Sequence, residues 1–331
     1  RSGAAVTSIY DQDDVRQCLS QLRPAAYGVW IDVAPGVRAR LWNAGDMLGS
    51  GSVELETEAD GDPLRLVFSG DIGPNGKLPH LDPEGPSGVD HAICESTYGD
   101  ERRPPVTDAG RRLAPGEMVK RAFHLNAVLI IPSFAVERAQ ELLSDLAQLI
   151  AEGALPRIPI FVDSPMASRA TDVFADHIDD LDGTVALARA LHSTRVHFTK
   201  LVAASMALEQ HEGFHLIIAA SGRCEAGRIS HHLKNWLWRR EATVLFLGFQ
   251  AAGTLGRILQ GGAPTVRIQG EEFTVNAKIR SIDMYSGHAD EPQPGAWLRA
   301  RGPIAKGVLL VHGEEAALAG LAARLEGTGR R

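Results

Sequence analysis

Four short, wholly apolar runs constrain this chain most: Ala127 to Ile131 (AVLII), Ile158 to Val162, Leu216 to Ala220 and Val244 to Leu247. Each is followed by a small-residue loop and a helical pattern. A strand that is apolar on both faces has to be covered on both, so these runs predict a parallel sheet between layers of helix. The helix after the first run carries Ala139, Leu142, Leu143, Leu146 and Ile150 at helical spacing, with Ser133 as its expected N-cap. The stretch Asp100 to Pro115, rich in Asp, Arg, Pro and Gly, reads as a domain boundary. An α/β domain is therefore expected over residues 108–260.

The two ends follow a different grammar. Val37 to Trp42, Ser52 to Thr57 and Leu64 to Phe68 alternate apolar and polar residues and predict an antiparallel meander. Before it, Asp11 to Leu22 places Val15, Cys18, Leu19 and Leu22 on one helical face. After the apolar runs, FTVNAKIRSIDMYSG returns to alternation, and a helix is expected near Pro292 to Arg299. A strand Gly307 to Val311 and an amphipathic tail helix ending near Gly327 close the chain. Residues 1–107 and 261–331 are thus expected to form one unit interrupted by the other.

The 331 residues suffice for two domains, and the net charge of −7 means that any polyanion site must be a local basic patch. Cys18, Cys94 and Cys224 are isolated thiols without CxxC spacing, which fits a reducing cytoplasm better than a disulfide framework. No run is long enough to predict a membrane span. Because position 1 is Arg rather than Met, the chain is expected to begin inside a longer gene product.

Chemistry gathers at strand ends. In PLRLVFSGDIG an alternating strand runs into Asp71, flanked by glycines that let the backbone turn sharply. Asp46, Glu95, His288 and His312 stand at four further strand-to-loop junctions. A lone Asp or His at a turn is usually a cap or a satisfied core residue. Five together, supplying imidazole and carboxylate, are a ligand set suited to zinc.

The strings FSGDIG, ESTYGD, IPSFAVERAQELL, VDSPMA, IIAASGRCEAGRISHHLK, GFQAAGTLGRIL, YSGHAD and VLLVHGE occur in this order. In them the chain resembles the β-CASP ribonucleases of the metallo-β-lactamase superfamily, most of all bacterial RNA-processing nucleases similar to the cleavage and polyadenylation endonuclease. The resemblance implies an α/β fold: a metallo-β-lactamase αββα sandwich, incomplete here, with an inserted parallel-sheet β-CASP domain. It further implies two zinc ions in the intact protein, with Asp71 bridging them and His312 as a ligand. It makes His288 the histidine beside the scissile phosphate and Glu95 the carboxylate that orients it. RNA, expected as a single strand, is the implied substrate, and the assembly is left open between monomer and homodimer.

Two departures qualify this. The family signature H-x-H-x-D-H appears nowhere in the sequence, and Asp46 stands where the family places a histidine ligand. A carboxylate there adds negative charge, which weakens a metal as a Lewis acid and repels a phosphodiester. The expectations are therefore a fragment of an active ribonuclease, itself of little activity and with an apolar sheet face left open, or a non-catalytic RNA-binding or scaffold subunit. For substrate contact, the loop Ser221 to Arg228 offers backbone N–H groups, Arg223 and Arg228 at a helix start, with His231 on the following helix and Ser286 in YSGHAD. That helix is expected to bury Ile229, Leu233, Trp236 and Leu237, leaving His231, His232, Lys234, Arg239 and Arg240 as a basic strip. A solvated helix face with an ordinary turn accounts for any one of these residues equally well.

Overall fold

The computed structural model describes residues 9–59, 61–76, 81–103, 107–126, 128–178, 181, 185–191, 193 and 195–327. The strands in chain order are β1 (Trp30–Ala34), β2 (Val37–Asn43), β3 (Gly51–Ala59), β4 (Asp62–Phe68) and β5 (His91–Glu95). Then come β6 (Val128–Pro132), β7 (Ile160–Asp163), β8 (Val196–Phe198), β9 (His215–Ala219) and β10 (Thr243–Phe246). The last four are β11 (Thr265–Ile268), β12 (Glu271–Thr274), β13 (Lys278–Ser281) and β14 (Gly307–Val311). They make two six-stranded sheets, β1-β2-β3-β4-β5-β14 and β13-β10-β6-β9-β7-β8, and the ribbon β11-β12.

The second sheet is parallel throughout, as the apolar runs require. Leu129, Ile131, Leu216 and Ile218 enter one core cluster, while Val128, Ile130 and Ile217 enter another. Neighbours along one strand thus bury themselves on opposite faces, which is why these runs are apolar at consecutive positions. The helix Arg138–Ala151 covers the first face with Ala139, Leu142, Leu143, Leu146 and Leu149. Its N-cap is Glu137 rather than Ser133, because the chain runs on through a turn before the helix starts.

The first sheet is antiparallel from β1 to β4 and parallel where β4, β5 and β14 meet. Val67, Ala92, Cys94, Val308 and Leu310 pack with Trp297 and Leu298 of the helix Pro292–Ala300 and with Leu321 and Leu325 of Glu315–Gly327. The opposite face, where Phe68 and Leu309 flank Ile93 in register, is apolar but open: Phe68, Leu309 and Val311 are 38%, 52% and 43% exposed.

The helix Gln12–Gln21 forms at the surface, as expected, capped by Asp11 with Asp14 in a reciprocal box, and it buries none of its residues. Two expectations need correction. Strand β13, assigned above to the return segment 261–331, hydrogen-bonds in parallel to β10 of the second sheet. The crossing back to the first sheet therefore follows Ser281 rather than residue 260. Pro115, taken as part of the boundary, lies inside the helix Asp108–Phe123, and residues 104–106 of that boundary fall outside the described residues.

The crossing is anchored. Tyr285 is fully buried in the core of the second sheet, and its hydroxyl donates to Asp145 at 2.7 Å. Asp145 also accepts two bonds from the buried Arg111, and Arg111 pairs with Glu141 at 2.9 Å. Three residues after Tyr285 comes His288.

Candidate metal centre

Because β4, β5 and β14 are parallel neighbours, their carboxyl ends open on one rim. That register delivers Asp71, Glu95 and His312 to the same place from positions far apart in sequence. Gly70 allows the turn: its φ is +60°, and a Cβ there would lie 2.8 Å from the carbonyl oxygen of Gly51. His312 also has a positive φ of 52°, which is strained for a residue with a side chain. Its carbonyl oxygen is held by the Ser96 amide at 3.3 Å and the Thr97 hydroxyl at 3.2 Å.

Asp71 Oδ1 lies 3.1 Å from His312 Nδ1, and ligand atoms of Asp71, His288 and His312 all lie within 4.8 Å of one another. A tetrahedral zinc site with bonds of about 2.0–2.2 Å separates its donors by roughly 3.3 Å, so the Asp71–His312 spacing and the donor types fit zinc. Glu95 stands behind them, almost fully buried. Its Oε1 accepts from the Ile72 amide at 2.6 Å and faces His288 Nδ1 at 3.2 Å, and its Oε2 accepts from the Thr97 hydroxyl at 2.5 Å. Burial by itself raises a carboxyl group, but the bond and charge of His288, the Thr97 hydroxyl and the Ile72 amide outweigh it and hold Glu95 below the usual range. For His288, burial pulls downward, while the Glu95 bond and the charges of Glu95, Asp46 and Asp71 raise it above an ordinary imidazole.

Sequence reasoning missed Thr97, whose hydroxyl bonds Glu95 and lies 3.3 and 3.2 Å from the Nδ1 atoms of His288 and His312. The signal was a hydroxyl two residues beyond a strand-end acid. It also missed Arg103, which donates to the His288 carbonyl oxygen and covers the Tyr98 ring.

The other sequence candidates divide. Asp46 is buried and is not in the three-residue ligand group; its carboxylate lies against Gly287, where a Cβ would come within 2.3 Å of Oδ1. Ser286 is buried, 3.3 Å from the Tyr98 hydroxyl and accepting from the His288 amide, so it shapes the loop. Arg228 turns inward onto Asp163 and the carbonyl oxygens of Thr199 and Lys200. His232, expected on the basic strip, is buried with Nε2 2.6 Å from Asp163. Arg239 lies over the Trp236 and Trp238 rings. His231 meets Asn235 at 3.3 Å. In the loop, the Ser221 and Cys224 amides donate to the carbonyl oxygens of Ala226 and Ser221. Arg223 remains exposed.

Over 318 residues, 94% of this chain and 70% of the relative, the sequence is 33% identical to Ribonuclease TTHA0252 of Thermus thermophilus. The chain belongs to the β-CASP ribonuclease family. Residues 139–259 match the Beta-Casp domain, and residues 272–331 match the Zn-dependent metallo-hydrolase RNA specificity domain. This β-CASP chain is also 29% identical over 333 residues to the transcription termination factor FttA of Methanosarcina mazei, covering 95% of itself but 50% of that protein. It is 26% identical over 314 residues to an RNase J-like protein of Methanocaldococcus jannaschii, with 93% and 71% covered. The β-CASP chain thus spans about half the length of the FttA relative.

Proposed function

We propose that the protein is a zinc-dependent ribonuclease that hydrolyses RNA phosphodiester bonds at the rim where β4, β5 and β14 end. The observation that carries this is the convergence of Asp71, His288 and His312 within 4.8 Å, each from a different loop. Supporting it are the match to a Zn-dependent metallo-hydrolase RNA specificity domain and the ribonuclease among the relatives.

Asp71 and His312 would hold the metal, being the pair in direct contact and half open to solvent. Zinc at such a site supplies Lewis acidity toward a phosphoryl oxygen and a water of lowered pKa. His288 has one ring nitrogen turned to Glu95, which leaves the other to face substrate. Ionised Glu95 keeps that ring protonated and oriented, so His288 can give a proton to the departing sugar oxygen. Thr97 holds Glu95 and both imidazoles in one arrangement. Asp46 is assigned a packing role against Gly287, not a ligand role.

A second reading, a non-catalytic RNA-binding subunit, is favoured by Asp46 alone. The test is RNA cleavage and bound zinc measured together on the full gene product, for wild type and for His288→Ala with His312→Ala. The ribonuclease reading predicts zinc and cleavage in the first and loss of cleavage in the second. RNA retention without zinc or cleavage in the wild type selects the second reading, and cleavage that persists in the double variant overturns the assigned site.

A further inference from the structure

We propose that the half-exposed rings of Phe134 and Phe249 are stacking platforms for unpaired nucleobases of the RNA presented to the metal centre. The inference rests on the ribonuclease reading and adds to it the surface that grips the strand. Both residues lie just past the carboxyl ends of parallel strands, β6 and β10, where ligand sites of such sheets gather. Each is 39% or 41% exposed between buried neighbours, Ser133 and Ala135 for one, Gly248 and Gln250 for the other.

Both rings are held from behind. Phe249 meets Tyr98 edge to face at 6.1 Å; Tyr98 in turn lies 6.4 Å from the His288 ring and carries the Arg103 guanidinium 4.5 Å over its own ring. Phe249 is thus two ring contacts from His288, with Tyr98 between them. Phe134 carries the Arg138 guanidinium over one face at 4.9 Å, and its Cδ2–Cε2 edge lies against Gly222, where a Cβ would come 3.0 Å from Cδ2. Arg138 donates to the carbonyl oxygen of Tyr285, just before the loop that carries His288. The backing fixes each ring while leaving apolar surface in water, an arrangement that folding alone does not reward.

The chemistry of the ligand follows. A phenyl ring has no hydrogen-bonding atom, so it recognises the π-face of any base and not its identity. A base has to be unstacked to lie on it, which selects single-stranded over duplex RNA. Asp283, whose carboxylate approaches Gly248 beside Phe249, repels phosphate, so the base rather than the backbone takes that side.

The experiment is binding of a short fluorescein-labelled single-stranded RNA to the full gene product, with zinc content and melting temperature measured alongside. Phe134→Leu and Phe249→Leu are each expected to weaken binding about 5- to 150-fold, the range for loss of one base stack. The matching Trp variants should bind within about twofold of wild type. On wild type, RNA with abasic nucleotides should bind as weakly as intact RNA binds the Leu variants, and on it the substitutions should have no further effect. Leu variants that bind like wild type, or abasic RNA that binds like intact RNA, would overturn the stacking proposal while leaving the ribonuclease reading in place. A wild type that does not bind RNA would overturn both.

Discussion

Two rims of this molecule each pair an aspartate with a histidine at the carboxyl ends of parallel strands, and they differ in exposure. On the first sheet, Asp71 meets His312 at 3.1 Å with both side chains about half exposed. On the second, Asp163 meets His232 at 2.6 Å with both buried, and Asp163 takes further bonds from Arg228 and from the Ser205 hydroxyl at 2.5 Å. An Asp whose oxygens are saturated inside the protein has nothing left for a ligand, whereas one open to solvent beside two imidazoles does. Residue types do not separate these cases; saturation and exposure do.

The comparison breaks or sharpens under substitution. Replacing His312 by Ala should lower RNA cleavage about 10²- to 10⁴-fold and strip zinc, with little change in unfolding midpoint, because a half-exposed side chain contributes little packing. Cleavage assays and metal analysis on one preparation decide it, and a large loss of stability instead would put His312 in the class of Asp163. Conversely, Asp163→Ala should cost about 3–5 kcal/mol in denaturant unfolding, since Arg228 and His232 would lose their counter-charge inside the protein. A cost below about 1 kcal/mol would mean that this network is not what fixes the second rim.

A pH effect follows from the same contrast. Burial lowers the His215 imidazole to about 4, although its Nδ1 bond to the Gly213 carbonyl oxygen opposes the shift. Between the ordinary value of 6.5 and about 4 the unfolded chain takes up a proton that the folded chain refuses. Stability is therefore complete above that window and falls as pH drops through it, by roughly 3 kcal/mol in all. Unfolding curves across the window should show that slope in wild type and a shallower one in His215→Phe. The smallest effect is expected at Arg223, which is exposed. Arg223→Ala should leave stability within about 0.5 kcal/mol and lower the salt slope of RNA binding by about one.

Much of the fold was legible because burial on two faces leaves an unambiguous trace. The AVLII run predicts a covered parallel strand, and the alternation of Leu64, Leu66 and Phe68 predicts the meander. The strand before it, β1, escaped notice although WIDVA is apolar at four of its five positions, because so short a run with one polar residue fixes no period. Strand β13 reads as alternating yet joins a parallel sheet, because it is an edge strand with one side free. Asp71, Glu95, His288 and His312 were legible as strand-end groups. Arg228 was misjudged because a charge beside a glycine-rich turn looks the same in sequence whether it faces a phosphate or a buried Asp163.

The measurement that tests the central claim most directly is anomalous diffraction at the zinc edge from crystals of the full gene product. The account predicts a peak about 2.0–2.2 Å from a carboxylate oxygen of Asp71 and a ring nitrogen of His312, with His288 beside it. Zinc bound elsewhere, or a fully loaded protein with no peak between Asp71 and His312, would contradict it.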